Sequence, residues 1–219
     1  MKLSIRAGIT LLFSMALLAC SNSDQNQADT YYNDGDYDQA VVAYTEKLKN
    51  NPKDVSTLYS RGRAYEEAGN FEEAKSDFEQ ALKIDPNNFQ ILLSLSNVYH
   101  TTENYTNALL YANRAEEISG APAMASFLKG RAYHSLGNTE EALKAYGSAI
   151  RRDKNFGQAY YNRGLLKVAM GNIGSACEDL QLASGLEYPD HLRLLQNIAN
   201  RIEKFSIKKV PLVYLLGLF

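Results

Sequence analysis

Three side chains have both the chemistry and the placement to suggest a reaction or a metal: Cys177, His100 and His134. A cysteine nucleophile needs a nearby base and a polarised setting that holds the thiolate. Cys177 instead follows Ala176 in an amphipathic run, where a small buried residue is expected. His100 and His134 are separated by one 34-residue interval and so fall on equivalent faces of adjacent structural units if the chain repeats. Helices packed roughly 10 Å apart would bring two imidazoles almost close enough to share a metal. No third ligand accompanies them. Solvated histidines and a structural thiol are favoured over a metal-dependent or thiol enzyme. The sequence has no phosphate-cradling glycine loop, nucleophile elbow or paired-carboxylate pattern. The expectation is a protein that is not an enzyme, with no catalytic residues, metal or cofactor.

Charge excludes a further class. The chain carries 23 basic and 25 acidic residues. Lys2 and Arg6 are the only charged residues before position 20, so a chain lacking that segment has a net charge near −4. No basic field exists to attract phosphate, and nucleic acid is not an expected partner. If Cys20 is consumed by modification, Cys177 is the only thiol left and no intramolecular disulfide can form.

The elements that would position such residues follow from a repeat. Alanine recurs at Ala40, Ala74, Ala108, Ala142 and Ala176, each 34 residues from the last. A second series keeps the same phase: Gly35-Asp36, Gly69-Asn70, Glu103-Asn104, Gly137-Asn138 and Gly171-Asn172. One structural unit is therefore copied end to end. In the second cycle, Leu58, Gly62 and Tyr65 share one helix face, and Phe71, Ala74, Phe78 and Ala81 share another. Gly69-Asn70 reverses the chain between them, through the positive φ that glycine tolerates. Pro86 stops the second helix. Gly62 and Ala74 admit close approach of the two helices, and Tyr65, Phe71 and Phe78 fill the surrounding space.

This pattern resembles the tetratricopeptide repeat, a 34-residue helix-turn-helix. The likeness is carried by the small-x-x-Tyr set, the Gly-Asn turn, the alanine ladder and the helix-ending Pro52 and Pro86. Cycle three departs at Glu103 and Ala112, and cycle five at Lys167 and Leu180. Cycle one has lost most of its first helix, because residues 21–28 are polar. The resemblance covers residues 28–188, in cycles of approximately 21–54, 55–88, 89–122, 123–156 and 157–190. It implies an all-α fold, a right-handed superhelical solenoid of five units. An amphipathic segment at 190–206, with Leu192, Leu195, Ile198, Ile202 and Phe205, reads as the capping helix that covers its last face.

The resemblance also implies where a partner binds. In this family first helices line a concave groove, and groove positions transfer by phase. One slot holds Tyr59, Leu93, Phe127 and Tyr161. The next holds Arg63, Asn97, Arg131 and Leu165, and a third holds Glu66, His100 and His134. An aromatic stripe flanked by Arg63 and Arg131 suits a protein or peptide with apolar anchors and some negative charge. The competing expectation is that these side chains pack between neighbouring repeats. The lysine-asparagine clamp of relatives that bind chaperone tails is not matched, since its lysine slots carry Tyr59, Leu93, Phe127 and Tyr161.

The termini read differently. Lys2 and Arg6, an apolar run from Ile9 to Leu18 and a small-residue end make residues 1–19 a signal peptide, expected to be helical. Leu17-Leu18-Ala19-Cys20 resembles the lipobox of bacterial lipoproteins, which implies a lipidated Cys20 and a cell-envelope location. The alternative is an ordinary secreted chain with an incidental cysteine. Residues 20–27 read as a tether. Ser21, in place of aspartate, resembles the signal for the outer rather than the inner membrane. The apolar tail at 207–219 is too short to span a bilayer. It is expected to pack against the cap or groove. The alternatives are a contact with the membrane surface, a segment offered to a partner, and entry into a second copy's groove, giving a homo-oligomer. The reading as a whole is a lipid-anchored adaptor that holds a protein partner.

Overall fold

The computed structural model describes residues 27–186, and every regular element among them is helical. The signal peptide at 1–19, Cys20 with most of the tether, the cap at 190–206 and the tail at 207–219 lie outside the described residues. No described helix is long and apolar enough to cross a membrane. The chain divides into two compact units between Thr102 and Glu103, at the turn inside the third 34-residue cycle.

Unit 1 contains a helical stretch over residues 27–33 (α1), then α2 Tyr37–Asn50, α3 Val55–Glu67, α4 Phe71–Ile84 and α5 Phe89–Thr101. Unit 2 contains α6 Tyr105–Glu117, α7 Ala123–Ser135, α8 Thr139–Arg152, α9 Gly157–Ala169 and α10 Ile173–Gly185. Within each unit a helix packs chiefly on those immediately before and after it. The α1 stretch is a working part of this arrangement: Ala28 joins Ala40, Tyr44 and Ala64 in one apolar cluster.

The turn inside a cycle closes one helix and opens the next with two residues. After α3, Gly69 N–H donates to the Glu66 carbonyl at 3.0 Å and Asn70 N–H to the Tyr65 carbonyl at 2.8 Å. This pair of bonds satisfies carbonyls that the helix end would otherwise orphan, and it requires a left-handed residue at the first position. Gly69 has φ +81°, and Gly35, Gly137 and Gly171 adopt nearly the same value. The residue after each glycine takes negative φ, −86° at Asn70, and stands as N-cap of the following helix. Positive φ is thus confined to the first position. Caps with side-chain bonds also open α3, where the Asp54 carboxylate accepts from Thr57 N–H at 3.1 Å, and α5, where Asn88 accepts from Gln90 and Ile91 N–H.

Glu103 makes the same turn without a glycine, at φ +59°. A side chain in the left-handed region costs roughly 1–2 kcal/mol. Glu103→Gly is therefore expected to stabilise the protein by about 1 kcal/mol, less the entropy glycine adds to the unfolded chain. Thermal unfolding followed by circular dichroism checks this. An unchanged or lowered midpoint would mean that Glu103 gains more from its side chain than the backbone loses.

The core is the alanine ladder together with the residues stacked on it. Ala40, Ala74, Ala108, Ala142 and Ala176 are all fully buried, as are Phe78, Tyr146 and Leu180. In three cycles the small slot on the first helix lies against the large slot on the second. A Cβ at Gly62 would stand 2.6 Å from the Phe78 ring, one at Gly130 2.6 Å from the Tyr146 ring, and one at Gly164 2.8 Å from Leu180. These glycines are needed to seat a ring or a leucine directly on helix backbone.

Candidate functional site

In unit 1 the first helices of two cycles, α1 and α3, together with Tyr44 of α2 line an open cavity of about 390 Å³. Its walls are Asp29, Tyr32, Asn33, Tyr44, Tyr59, Ser60 and Arg63. Tyr59 reaches it over Phe78, with ring centroids 5.8 Å apart, so a core aromatic fixes the orientation of a surface one. The Tyr44 hydroxyl donates to Asp29 Oδ1 at 2.6 Å. Burial pushes the Tyr44 phenol pKa above its ordinary value, and the bond to Asp29 adds to the shift. Tyr44 therefore stays a neutral donor.

Arg63 and Glu66 are held by their surroundings. The Arg63 guanidinium donates to Glu66 at 2.9 Å, to Glu67 at 2.9 Å and to the Tyr32 hydroxyl at 3.4 Å. Glu66 also accepts from Asn97 Nδ2 at 2.7 Å. Burial raises the Glu66 pKa, while Asn97 and Arg63 pull it back. Leu93, Asn97 and His100 are half-buried on α5. Of the groove residues expected in this unit, the structure joins Arg63, Glu66 and Asn97 into one network, with Tyr59 beside it. Asp29 and Tyr44 are additions that the sequence reading did not pick. The signal was available, because Asp29 precedes Arg63 by one 34-residue interval and therefore occupies the same slot.

Unit 2 treats the equivalent slots differently. Phe127 is only 4% exposed. Its ring lies 5.8 Å from Tyr146 and 5.0 Å from Phe156. It packs against these two rings of its own cycle and offers a partner almost no area. Tyr161, Leu165 and Arg131 remain half-buried and His134 is exposed. Burial raises the Tyr146 phenol pKa, and the charge of Arg131 opposes that shift. Cys177 is half-buried on α10, more open than its position beside Ala176 suggests. Burial raises its pKa, which keeps it a thiol. Among the described residues, no group of three or more His, Cys, Asp or Glu side chains could hold a metal.

Two buried ion pairs also escaped the sequence reading. Arg61 grips Asp77 through Nε and Nη2, both at 2.7 Å, and its third nitrogen donates to Thr45 at 3.1 Å. Arg163 grips Asp179 at 2.8 and 2.6 Å, and Lys167 Nζ adds a contact of 2.8 Å. The hydrogen bonds to these aspartates hold both guanidinium pKa values above normal. Arg61 and Arg163, like Asp77 and Asp179, are three intervals apart, so one clamp is built twice. In the Arg61 slot one cycle earlier than Arg163, Lys129 bonds back to Glu116 of α6 at 2.9 Å, and Ser126 donates to the same carboxyl group.

Family models for the tetratricopeptide repeat match residues 25–54, 55–88 and 157–188, and a further model described as a TPR repeat matches residues 130–171. Solved structures agree in fold. PilW, titled a widely conserved type IV pilus biogenesis factor, is similar at 22% identity and a TM-score of 0.75, over 84% of this chain and 86% of that one. MamA from Desulfovibrio magneticus RS-1 is similar at 22% identity and 0.69, over 77% and 96%. YrrB, titled a TPR protein with an unusual peptide-binding site, is similar at 26% identity and 0.63, over 80% and 89%. Among curated proteins, neutrophil cytosol factor 2 of Bos taurus is 42% identical over 57 residues. That stretch is 26% of this chain and only 11% of that protein.

Proposed function

We propose that this chain of tetratricopeptide repeats is a lipid-anchored adaptor that holds a protein partner at the bacterial cell envelope. One observation carries the binding half of the proposal. The first helices keep aromatic and charged side chains partly open beyond what core packing uses, notably Tyr59 in unit 1 and Arg131 and Tyr161 in unit 2. Interfaces draw most of their affinity from such aromatic and arginine anchors. YrrB's title names a peptide-binding site, which is in keeping with that use of the fold. The anchoring half rests on the charged and apolar start of the chain and on Cys20 at its end. Several acyl chains there would make attachment effectively permanent, since each buried methylene contributes about 0.8 kcal/mol. Ser21 supports the outer membrane over the inner.

Crosslinking in the native host tests the adaptor, and labelled palmitate tests the anchor. A partner recovered with the native chain is expected to be lost when Tyr59, Arg131 and Tyr161 are replaced by alanine. The acyl label is expected to vanish in Cys20→Ala. Undiminished recovery from the triple variant would dismiss these positions as the binding surface, and a label that survives in Cys20→Ala would dismiss the anchor.

A further inference from the structure

The cavity of unit 1 has a chemical bias that runs against the acidic partner its arginine suggests. Arg63 is not a vacant cation, because Glu66 and Glu67 each hold it at 2.9 Å. The group left under-used is Asp29. Its Oδ1 accepts from the Tyr44 hydroxyl, and among the described residues its carboxylate has no other hydrogen-bond donor. An ionised carboxylate has room for about four donors. Asp29 stands among the rings of Tyr32, Tyr44 and Tyr59, with the Ser60 hydroxyl and the paired Arg63 completing the wall. With Glu66 and Glu67 taken up by Arg63, the carboxylates in and beside the wall, Asp29, Glu66 and Glu67, exceed the cations Arg63 and Lys47 by one. One of these rings already receives a cation from its own chain, since Lys47 Nζ lies 5.8 Å from the Tyr44 ring centroid. Tyrosine faces attract cations, and a nearby carboxylate completes a site for one.

We propose that this cavity is a subsite for a cationic side chain, arginine or lysine, presented by the partner. Asp29 supplies the charge-assisted hydrogen bond and the half-buried rings of Tyr32 and Tyr59 supply the faces. A planar guanidinium can bridge to the carboxylate while stacking on a ring, so arginine is the better fit of the two. The cavity of about 390 Å³ is large enough for one long side chain and too small for a folded element. This assignment rests on the adaptor reading and narrows it, because it fixes the charge of one partner residue.

The test uses the purified full chain in detergent, with tyrosine rings labelled with carbon-13 and the signals of Tyr32 and Tyr59 assigned by single Tyr→Phe variants. The probes are N-acetylarginine amide, N-acetyllysine amide and N-acetylglutamate amide. Saturable shifts of the Tyr32 and Tyr59 signals are expected with the arginine probe, weaker ones with lysine and none with glutamate. Asp29→Asn keeps an acceptor for the Tyr44 hydroxyl but removes the charge. It is expected to weaken the arginine probe about tenfold, as a charged hydrogen bond becomes a neutral one. Equal or tighter binding of the glutamate probe overturns the assignment, as does an arginine probe that shifts neither ring. Partner capture that survives Asp29→Asn but fails in the Tyr59, Arg131 and Tyr161 variant rejects the cation subsite and retains the adaptor. Capture that survives both rejects the cation subsite and dismisses Tyr59, Arg131 and Tyr161 as the binding surface.

Discussion

Asp179→Ala is expected to destabilise the protein by about 3–5 kcal/mol, the range for a buried pair broken by removing one partner. The Asp179 side chain is only 4% exposed and holds both Arg163 and Lys167. Its loss leaves Arg163 and Lys167, whose side chains are 23% and 20% exposed, without the carboxylate that both of them hold. Asp77→Ala should cost somewhat less, since among the described residues Arg61 is the only cation bonded to it, and Arg61 keeps a bond to Thr45. Denaturant unfolding followed by circular dichroism reads both values. Replacing pair for pair, as Arg61→Met with Asp77→Leu, should come close to the native stability. Apolar side chains of similar volume remove the desolvation cost along with the attraction. A loss below about 1 kcal/mol in Asp179→Ala, the level of an exposed pair, would show that water reaches the site.

The second large effect lies where a ring sits on bare backbone. Phe78→Ala is expected to cost about 3–5 kcal/mol through lost burial and the cavity left behind. Gly62→Ala should cost about 1–3 kcal/mol for the opposite reason. Its Cβ would meet Phe78 at 2.6 and 2.8 Å, and a fully buried ring has nowhere to retreat. The informative measurement is the double variant. With the ring removed, the added methyl group occupies vacant space, so Gly62→Ala should become neutral or stabilising in the Phe78→Ala background. A coupling of at least about 1 kcal/mol is expected. Strictly additive costs would mean that the glycine serves helix geometry at 62 rather than the ring.

These effects mark what could be read in advance. The alanine ladder, the glycine turns and the small slots follow from steric demands that act within one cycle, and a 34-residue period displays them five times. The helical fold was legible for that reason. Groove residues were harder to read. Tyr59 and Phe127 share a phase, yet Tyr59 opens into a cavity while Phe127 is sealed against Phe156. The difference lies in Phe156, the last residue of the same cycle, whose counterpart after Tyr59 is Asn88, and a pattern on one helix does not report it. Arg63 was visible as a positive charge, but its neutralisation by Glu66 and Glu67 depends on side-chain direction. Asp29 was passed over because polar residues before it suggested a tether, although helix α1 already covers it. The ion pairs were missed for a different reason. A charge at a core slot reads as a surface residue until its partner on the next helix is placed opposite.

The packing of each helix on its immediate neighbours has a consequence in time. The stabilising contacts of a unit join segments that are close along the chain, so little loop-closure entropy must be lost before they form. Topologies of this kind belong to the fast end of folding rates. Within a unit, each new helix can therefore dock on a neighbour that is already formed, so folding can follow the order of the chain.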